Sequence, residues 1–92
     1  MPQDTPIPER PFADLTLPMT PSKGGLKVED AKGHLHYLNQ SAAVVLLLCD
    51  GSRTIREIER AVCAEFGLEQ TPTDEVNRAL QLLMDRGLLQ SG

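Results

Sequence analysis

The side chains best suited to chemistry in this chain are His34, His36, Cys49 and Cys63. Neither their spacing nor their company builds a reaction centre. His34 and His36 stand two apart, so on a strand both would point to one face. Two imidazoles without a third ligand close by make a poor zinc site, because zinc takes three or four protein ligands. They read as solvent-facing or packing residues. Cys49 and Cys63 lie in two separate apolar segments and match no ligand spacing. Both are expected as buried, inert thiols. Gly24-Gly25 lacks the spacing and the following helix of a phosphate loop. Asp74-Glu75 reads as a pair of helix-start charges favoured by the macrodipole, not as a catalytic pair. With no nucleophile and base, no ligand cluster and no cofactor cradle, the chain is expected to be no enzyme, with no cofactor and no metal.

Composition narrows the remaining classes. The chain has 92 residues, enough for one domain at most. Phe12, Tyr37 and Phe66 are its only aromatics, so the core must be aliphatic. The formal net charge of -4 argues against capture of phosphate backbones or anionic lipid, hence no nucleic acid and no membrane partner. The longest apolar run, Ala42 to Cys49, has eight residues, far short of the roughly 20 that span a bilayer. The N-terminus lacks a basic start followed by an apolar stretch, so it reads as no signal peptide. Two cysteines fit a reducing compartment, and a cytoplasmic location is expected.

The elements follow from local patterns. Six of the seven prolines lie in the first 21 residues, so residues 1–13 are expected as a proline-rich flexible arm, with the domain proper over 14–92. Leu15 and Leu17 alternate about Thr16 and predict a short edge strand. Leu26 and Val28 alternate with charged neighbours, Asp30 to Gly33 supplies turn chemistry, and His34 to Leu38 follows as a second strand, which predicts a β-hairpin. Leu35 and Tyr37 share one face of it. Asn39 can cap the next helix, whose residues Ala42 to Cys49 have no polar face and predict burial all round. Thr54 opens a second helix with a capping-box spacing to Glu57, Ile55, Ile58, Val62 and Phe66 form its stripe, and Gly67-Leu68 terminates it. Either Thr71 or Thr73 is expected to cap a third helix, with Pro72 in its first turn. That helix carries Val76, Ala79, Leu80, Leu83 and Met84 on one stripe and ends at Arg86-Gly87. The fold class is α+β: short antiparallel strands followed by three helices, of winged helix-turn-helix size.

The third helix decides between two binding functions. A winged-helix DNA-binding or regulatory protein is the alternative reading, but a recognition helix should be basic. From Asp74 to Arg86 this one holds two arginines against three acids. Leu82 instead points about 120° away from the core stripe, with Arg78 and Arg86 on its side. An outward leucine between two arginines, beside a sheet edge whose backbone groups are unpaired, would make a groove for an extended peptide.

Leu38-Asn39-Gln40-Ser41-Ala42-Ala43, Leu46-Leu47-Leu48-Cys49-Asp50-Gly51 and Thr54-Ile55-Arg56-Glu57-Ile58 together resemble the PqqD-like family. These are small peptide chaperones of pyrroloquinoline quinone (PQQ) biosynthesis and related recognition elements for ribosomally made, post-translationally modified peptides. Asp74-Glu75-Val76, Leu80 through Met84 and Gly87-Leu88-Leu89 match the family's last helix and close, so the resemblance runs from about Leu26 to Leu89. It implies a non-catalytic domain that holds the leader segment of a precursor peptide as an added strand and presents it to a modifying enzyme. Carried over to this chain, it implies a peptide site at His34, Leu35, His36, Tyr37 and Leu38 on the strand and at Arg78, Leu82, Asp85 and Arg86 on the helix. Members of the quinone pathway carry an arginine- and tryptophan-containing segment in the early strands and an aromatic residue near the C-terminus. This chain has no tryptophan and closes on Gly87-Leu88-Leu89-Gln90. Another modified-peptide pathway, with a radical S-adenosylmethionine enzyme or a lasso-type leader peptidase as the partner, fits it at least as well as the quinone pathway.

Overall fold

The computed structural model describes residues 9–90. The strands β1 (Phe12–Ala13), β2 (Met19–Ser22), β3 (Gly25–Glu29) and β4 (Leu35–Asn39) precede the helices α1 (Gln40–Leu48), α2 (Ile55–Phe66) and α3 (Thr73–Asp85), and β5 (Leu89–Gln90) closes the chain. β2, β3 and β4 form an antiparallel sheet in that order, while β1 pairs with β5. Three antiparallel strands followed by three helices is the α+β order predicted above.

The β2–β3 turn depends on two glycines. Gly24 has a φ of +76°, which only glycine adopts freely. A Cβ at Gly25 would lie 1.7 Å from the Leu38 carbonyl oxygen, so β3 approaches β4 this closely only without a side chain there. The strand expected at Leu15–Leu17 does not form. Asp14 Oδ1 accepts the Thr16 N–H at 3.0 Å, and this Asx turn bends the chain away from extension. The strand starts at Met19 instead and, as its prolines require, lies at the sheet edge.

Residues 11–13, expected within the arm, are part of the folded domain. Pro11 and Ala13 are buried, Ala13 N–H donates to the Cys49 carbonyl at 2.8 Å and Gly51 N–H to the Pro11 carbonyl at 3.1 Å. These bonds place β1 between the α1–α2 connection and β5. Residues 1–8 lie outside the described residues.

α1 lies against β3, β4, α2 and α3 and is the centre of the packing. Asn39 caps it, its side chain accepting the Ala42 N–H at 2.8 Å. Ala42, Ala43, Val45 and Leu46 are buried, but Leu47 is 51% exposed, so α1 is not enclosed all round. α2 opens on the predicted capping box: Glu57 N–H donates to Thr54 Oγ1 at 3.2 Å and Thr54 N–H to Glu57 Oε1 at 2.8 Å. It closes with Leu68 N–H on the Cys63 carbonyl at 3.0 Å, as α3 closes with Leu88 N–H on Leu83 at 2.8 Å. These 6→1 bonds define the Schellman terminus.

The start of α3 departs from expectation. Pro72 occupies the cap position and neither threonine caps with its side chain. Thr73 is already helical, and its hydroxyl donates to Glu59 on α2 at 3.3 Å, tying the two helices together. The buried core is aliphatic, with Ile58, Leu80, Leu83 and Val28 fully covered and no aromatic side chain among its members. Cys49 is buried, but Cys63 is only half-buried, with its thiol donating to the Leu68 carbonyl at 3.2 Å. The expectation of two buried thiols therefore holds for Cys49 alone. Burial, then the neighbouring Asp50 charge, pushes the Cys49 thiol up to about 12, which keeps it protonated and unreactive. Among the described residues, no helix is long and apolar enough to cross a membrane.

Candidate functional site

β4 is an edge strand, with β3 on one side and no strand on the other among the described residues. The phase of its hydrogen bonding follows from the turn that precedes it. Asp30 N–H donates to the His34 carbonyl at 2.9 Å, so His34 faces the partner strand. Antiparallel pairs alternate between bonded and non-bonded positions. His36 and Leu38, opposite Val28 and Leu26, therefore turn their backbone groups toward β3. Leu35 and Tyr37 turn theirs to the open edge, as Asn39 does its N–H, its carbonyl being taken by the first turn of α1. The same alternation separates the side chains: His36 and Leu38 point inward, while Leu35 and Tyr37 stand 48% and 64% exposed on the outer face.

The linings of two open cavities set the end of β4 beside Glu75–Leu82 and its start beside Asp85–Gly87, so β4 and α3 run in opposite directions with a cavity at each end of the cleft between them. One, of about 240 Å³, is lined by Asn39, Ser41 and Ala42 from the end of β4 and the start of α1, and by Glu75, Arg78, Ala79 and Leu82 of α3. The other, of about 430 Å³, is lined by the turn residues Asp30, Ala31, Lys32 and His34, by His36, and by Asp85, Arg86 and Gly87 where α3 ends. Leu82, expected to point outward from the core stripe, is instead half-buried and packs against the core at this cavity.

Asp30 organises the second cavity. Its Oδ1 accepts the N–H groups of Lys32 and His34, both at 2.9 Å, and its Oδ2 accepts His36 Nε2 at 2.7 Å. His34 Nδ1 lies 3.7 Å from the same oxygen. The His36 bond first, then the His34 amide, holds the Asp30 carboxyl down to about 2. A carboxyl depressed on folding contributes stability above its unfolded pKa, and loses it as pH falls through the folded value. The turn is therefore expected to be intact at pH 4 and to loosen as pH falls toward 2. An acid titration followed at the amides of Lys32 and His34 checks this. A midpoint near 4, the ordinary carboxylate value, would show that these bonds do not hold the charge.

The residues singled out by sequence fall into four groups. Arg78 and Leu82 line the first cavity, and His34, His36, Asp85 and Arg86 line the second. Leu35 and Tyr37 reach neither cavity, but offer the edge their backbone groups. Leu38 has to be withdrawn as a contact: it is 3% exposed in the core, and its backbone faces β3. Asn39, Ser41, Glu75, Asp30 and Lys32 also line the cavities but were not expected there. Hairpin counting would have found Asp30, since folding the chain about the turn sets residue 30 opposite residue 34 and near residue 36 on the inward face. Among the described residues, no three His, Cys, Asp or Glu side chains converge as a metal site.

Neither a curated protein nor a solved structure matches the chain. A family does: coenzyme PQQ synthesis protein D (PqqD) matches residues 22–89. The match takes in β3, β4, all three helices and the start of β5. Members of that family are non-catalytic accessory proteins, peptide-binding chaperones that work with a precursor peptide and a partner enzyme in the biosynthesis of PQQ and other modified peptides. With both walls of its cleft and the whole helical layer inside the match, this chain belongs to the PqqD family.

Proposed function

We propose that this protein is a non-catalytic chaperone that takes the leader segment of a ribosomal precursor peptide as an added strand on β4 and presents it to a modifying enzyme. The observation that carries the reading is the open edge of β4, with the outward backbone groups of Leu35, Tyr37 and Asn39 beside the cleft against α3. An incoming strand satisfies those groups, and its alternate side chains meet the α3 wall or the outer face. Leu82 anchors an apolar side chain, and Arg78 and Arg86 lie at the rim. The radical S-adenosylmethionine and leader-peptidase classes are the partner enzymes that suit such a chaperone, and the cytoplasm is where both partners would be met.

The test is selection of short random peptides on the immobilised protein, followed by mapping of an enriched peptide on the labelled amides. Perturbation should centre on Leu35, Tyr37, Asn39 and Leu82. No enrichment, or a footprint on α2, would sink the reading. A gel shift at low salt should show no DNA binding. Truncating the apolar anchor should cost more than removing a rim charge, because exposed ion pairs contribute only about 0.2–1 kcal/mol and are screened by salt. Leu82→Ala is therefore expected to weaken the selected peptide about tenfold, at roughly 25 cal/mol per Å² of lost apolar contact. Arg78→Ala should weaken it by less than that. Titration of both variants at two salt concentrations separates them, and unchanged binding by Leu82→Ala would move the groove elsewhere.

A further inference from the structure

The three-stranded sheet has two outer edges, and the sequence guards only one of them. Glu29 N–H donates to the Pro18 carbonyl at 3.0 Å. By the antiparallel alternation, Thr20 and Ser22 therefore also turn their backbone groups toward β3, and Met19 and Pro21 face the open side of β2. Pro21 has no N–H to offer there, and the exposed Lys23 follows it. Proline and lysine on an edge are the devices that keep a second chain from pairing. β4 has neither. From Gly33 to Gln40 the sequence holds no Pro, Lys, Arg, Asp or Glu.

An edge of that composition has nothing that repels its own copy. Laid antiparallel on itself about a two-fold axis at His36, β4 sets Leu35 opposite Tyr37 of the second copy, and Tyr37 opposite Leu35. These are the two strand residues whose N–H and carbonyl both face the edge, so each pair exchanges two hydrogen bonds. Their exposed side chains meet on the outer face as leucine–tyrosine pairs, with no like charges opposite each other. A shift of two residues is worse in either direction. One sets Leu35 against Asn39, whose carbonyl α1 already uses, and the other sets Tyr37 against Gly33, whose N–H the Asp30 carbonyl accepts at 3.0 Å. We propose that, in the absence of peptide, β4 pairs with β4 of a second copy in this register and forms a two-fold dimer. Each copy contributes one five-residue strand, against the roughly 20–30 residues a side of a stable interface, so the dimer is weak and exchanges readily. A leader segment on β4 then displaces the second copy. The pairing rests on the open edge alone, and the displacement rests on the strand addition proposed above.

Sedimentation equilibrium of the full chain is the test. Its mean mass should rise from 10.1 kDa toward twice that value as concentration rises from about 10 µM to about 1 mM. The amides of Leu35 and Tyr37 should shift over the same range, and those of His36 and Leu38, which face β3, should shift less. Replacing both Leu35 and Tyr37 with lysine sets like charges opposite each other in both pairs and should keep the protein monomeric throughout. Tyr37→Pro, which withdraws an edge donor, should do the same. A peptide selected at low protein concentration should dissociate the dimer, and its apparent affinity should fall severalfold at millimolar protein. A mass of 10.1 kDa at every concentration, or association that neither variant weakens, would overturn the inference and leave peptide addition to β4 standing. Dimers that survive saturating peptide would sink peptide addition to β4, and the displacement with it, while the pairing stands.

Discussion

Tyr37→Pro is expected to leave the protein folded and to cut peptide binding about tenfold or more. Proline removes the N–H and restricts φ, so its effect depends on which way that N–H points. Tyr37 lies opposite Lys27 at a non-bonded position of the β3–β4 ladder, and its backbone groups face the open edge. Edge strands tolerate proline where the missing donor faced solvent. The ladder to β3 therefore survives, while an added strand loses one hydrogen bond, worth about 0.5–1.5 kcal/mol net, and meets the ring where it needs a flat edge. His36→Pro supplies the opposite case. Its N–H faces β3 and its ring holds Asp30, so that variant should lose the hairpin itself. Thermal unfolding and affinity for the selected peptide, measured on both, separate the outcomes. Full affinity in a folded Tyr37→Pro protein would rule out strand addition.

Leu83→Ala is expected to be, with Leu80→Ala, the most damaging of the single truncations on α3. Leu83 is fully buried, and removing such a side chain costs about 2–5 kcal/mol through lost transfer energy and the cavity left behind. A domain of this length holds only about 5–14 kcal/mol in total. The midpoint of thermal unfolding should therefore fall by roughly 10–30 °C. Leu82, one residue earlier and half-buried at the first cavity, should show the reverse balance, with a small loss of stability and a larger loss of peptide binding. Calorimetry on the two variants checks the contrast. A Leu83→Ala protein melting within a few degrees of wild type would mean that α3 repacks freely and cannot serve as a fixed wall.

The features legible in the sequence are those whose physics closes within a few residues. The Thr54–Glu57 box, the Asn39 cap and the Gly67 and Gly87 termini each join groups three to six positions apart, so residue type and spacing contain the whole interaction. The β3–β4 hairpin belongs with them, because its turn sets its register. Periodicity alone put Leu82 outside the core stripe, but its half-buried contact with the core depends on the neighbouring elements.

Tertiary structure decided whatever depends on elements distant in the chain. β1 and β5 are two residues each, too short for any periodic signal, and exist because the chain's two ends meet beside Cys49 and Asp50. α1 is apolar on every side, yet Leu47 is exposed, because packing partners and not hydrophobicity determine which side is covered. Leu38 looks like its neighbours in sequence but is buried, because the pleat of β4 alternates and only the docked sheet says which phase faces the core. The second cavity joins the hairpin turn to the end of α3, a meeting that no local pattern encodes. Local geometry specified the elements; the faces they present to a peptide were chosen by burial, which is a property of the assembled core.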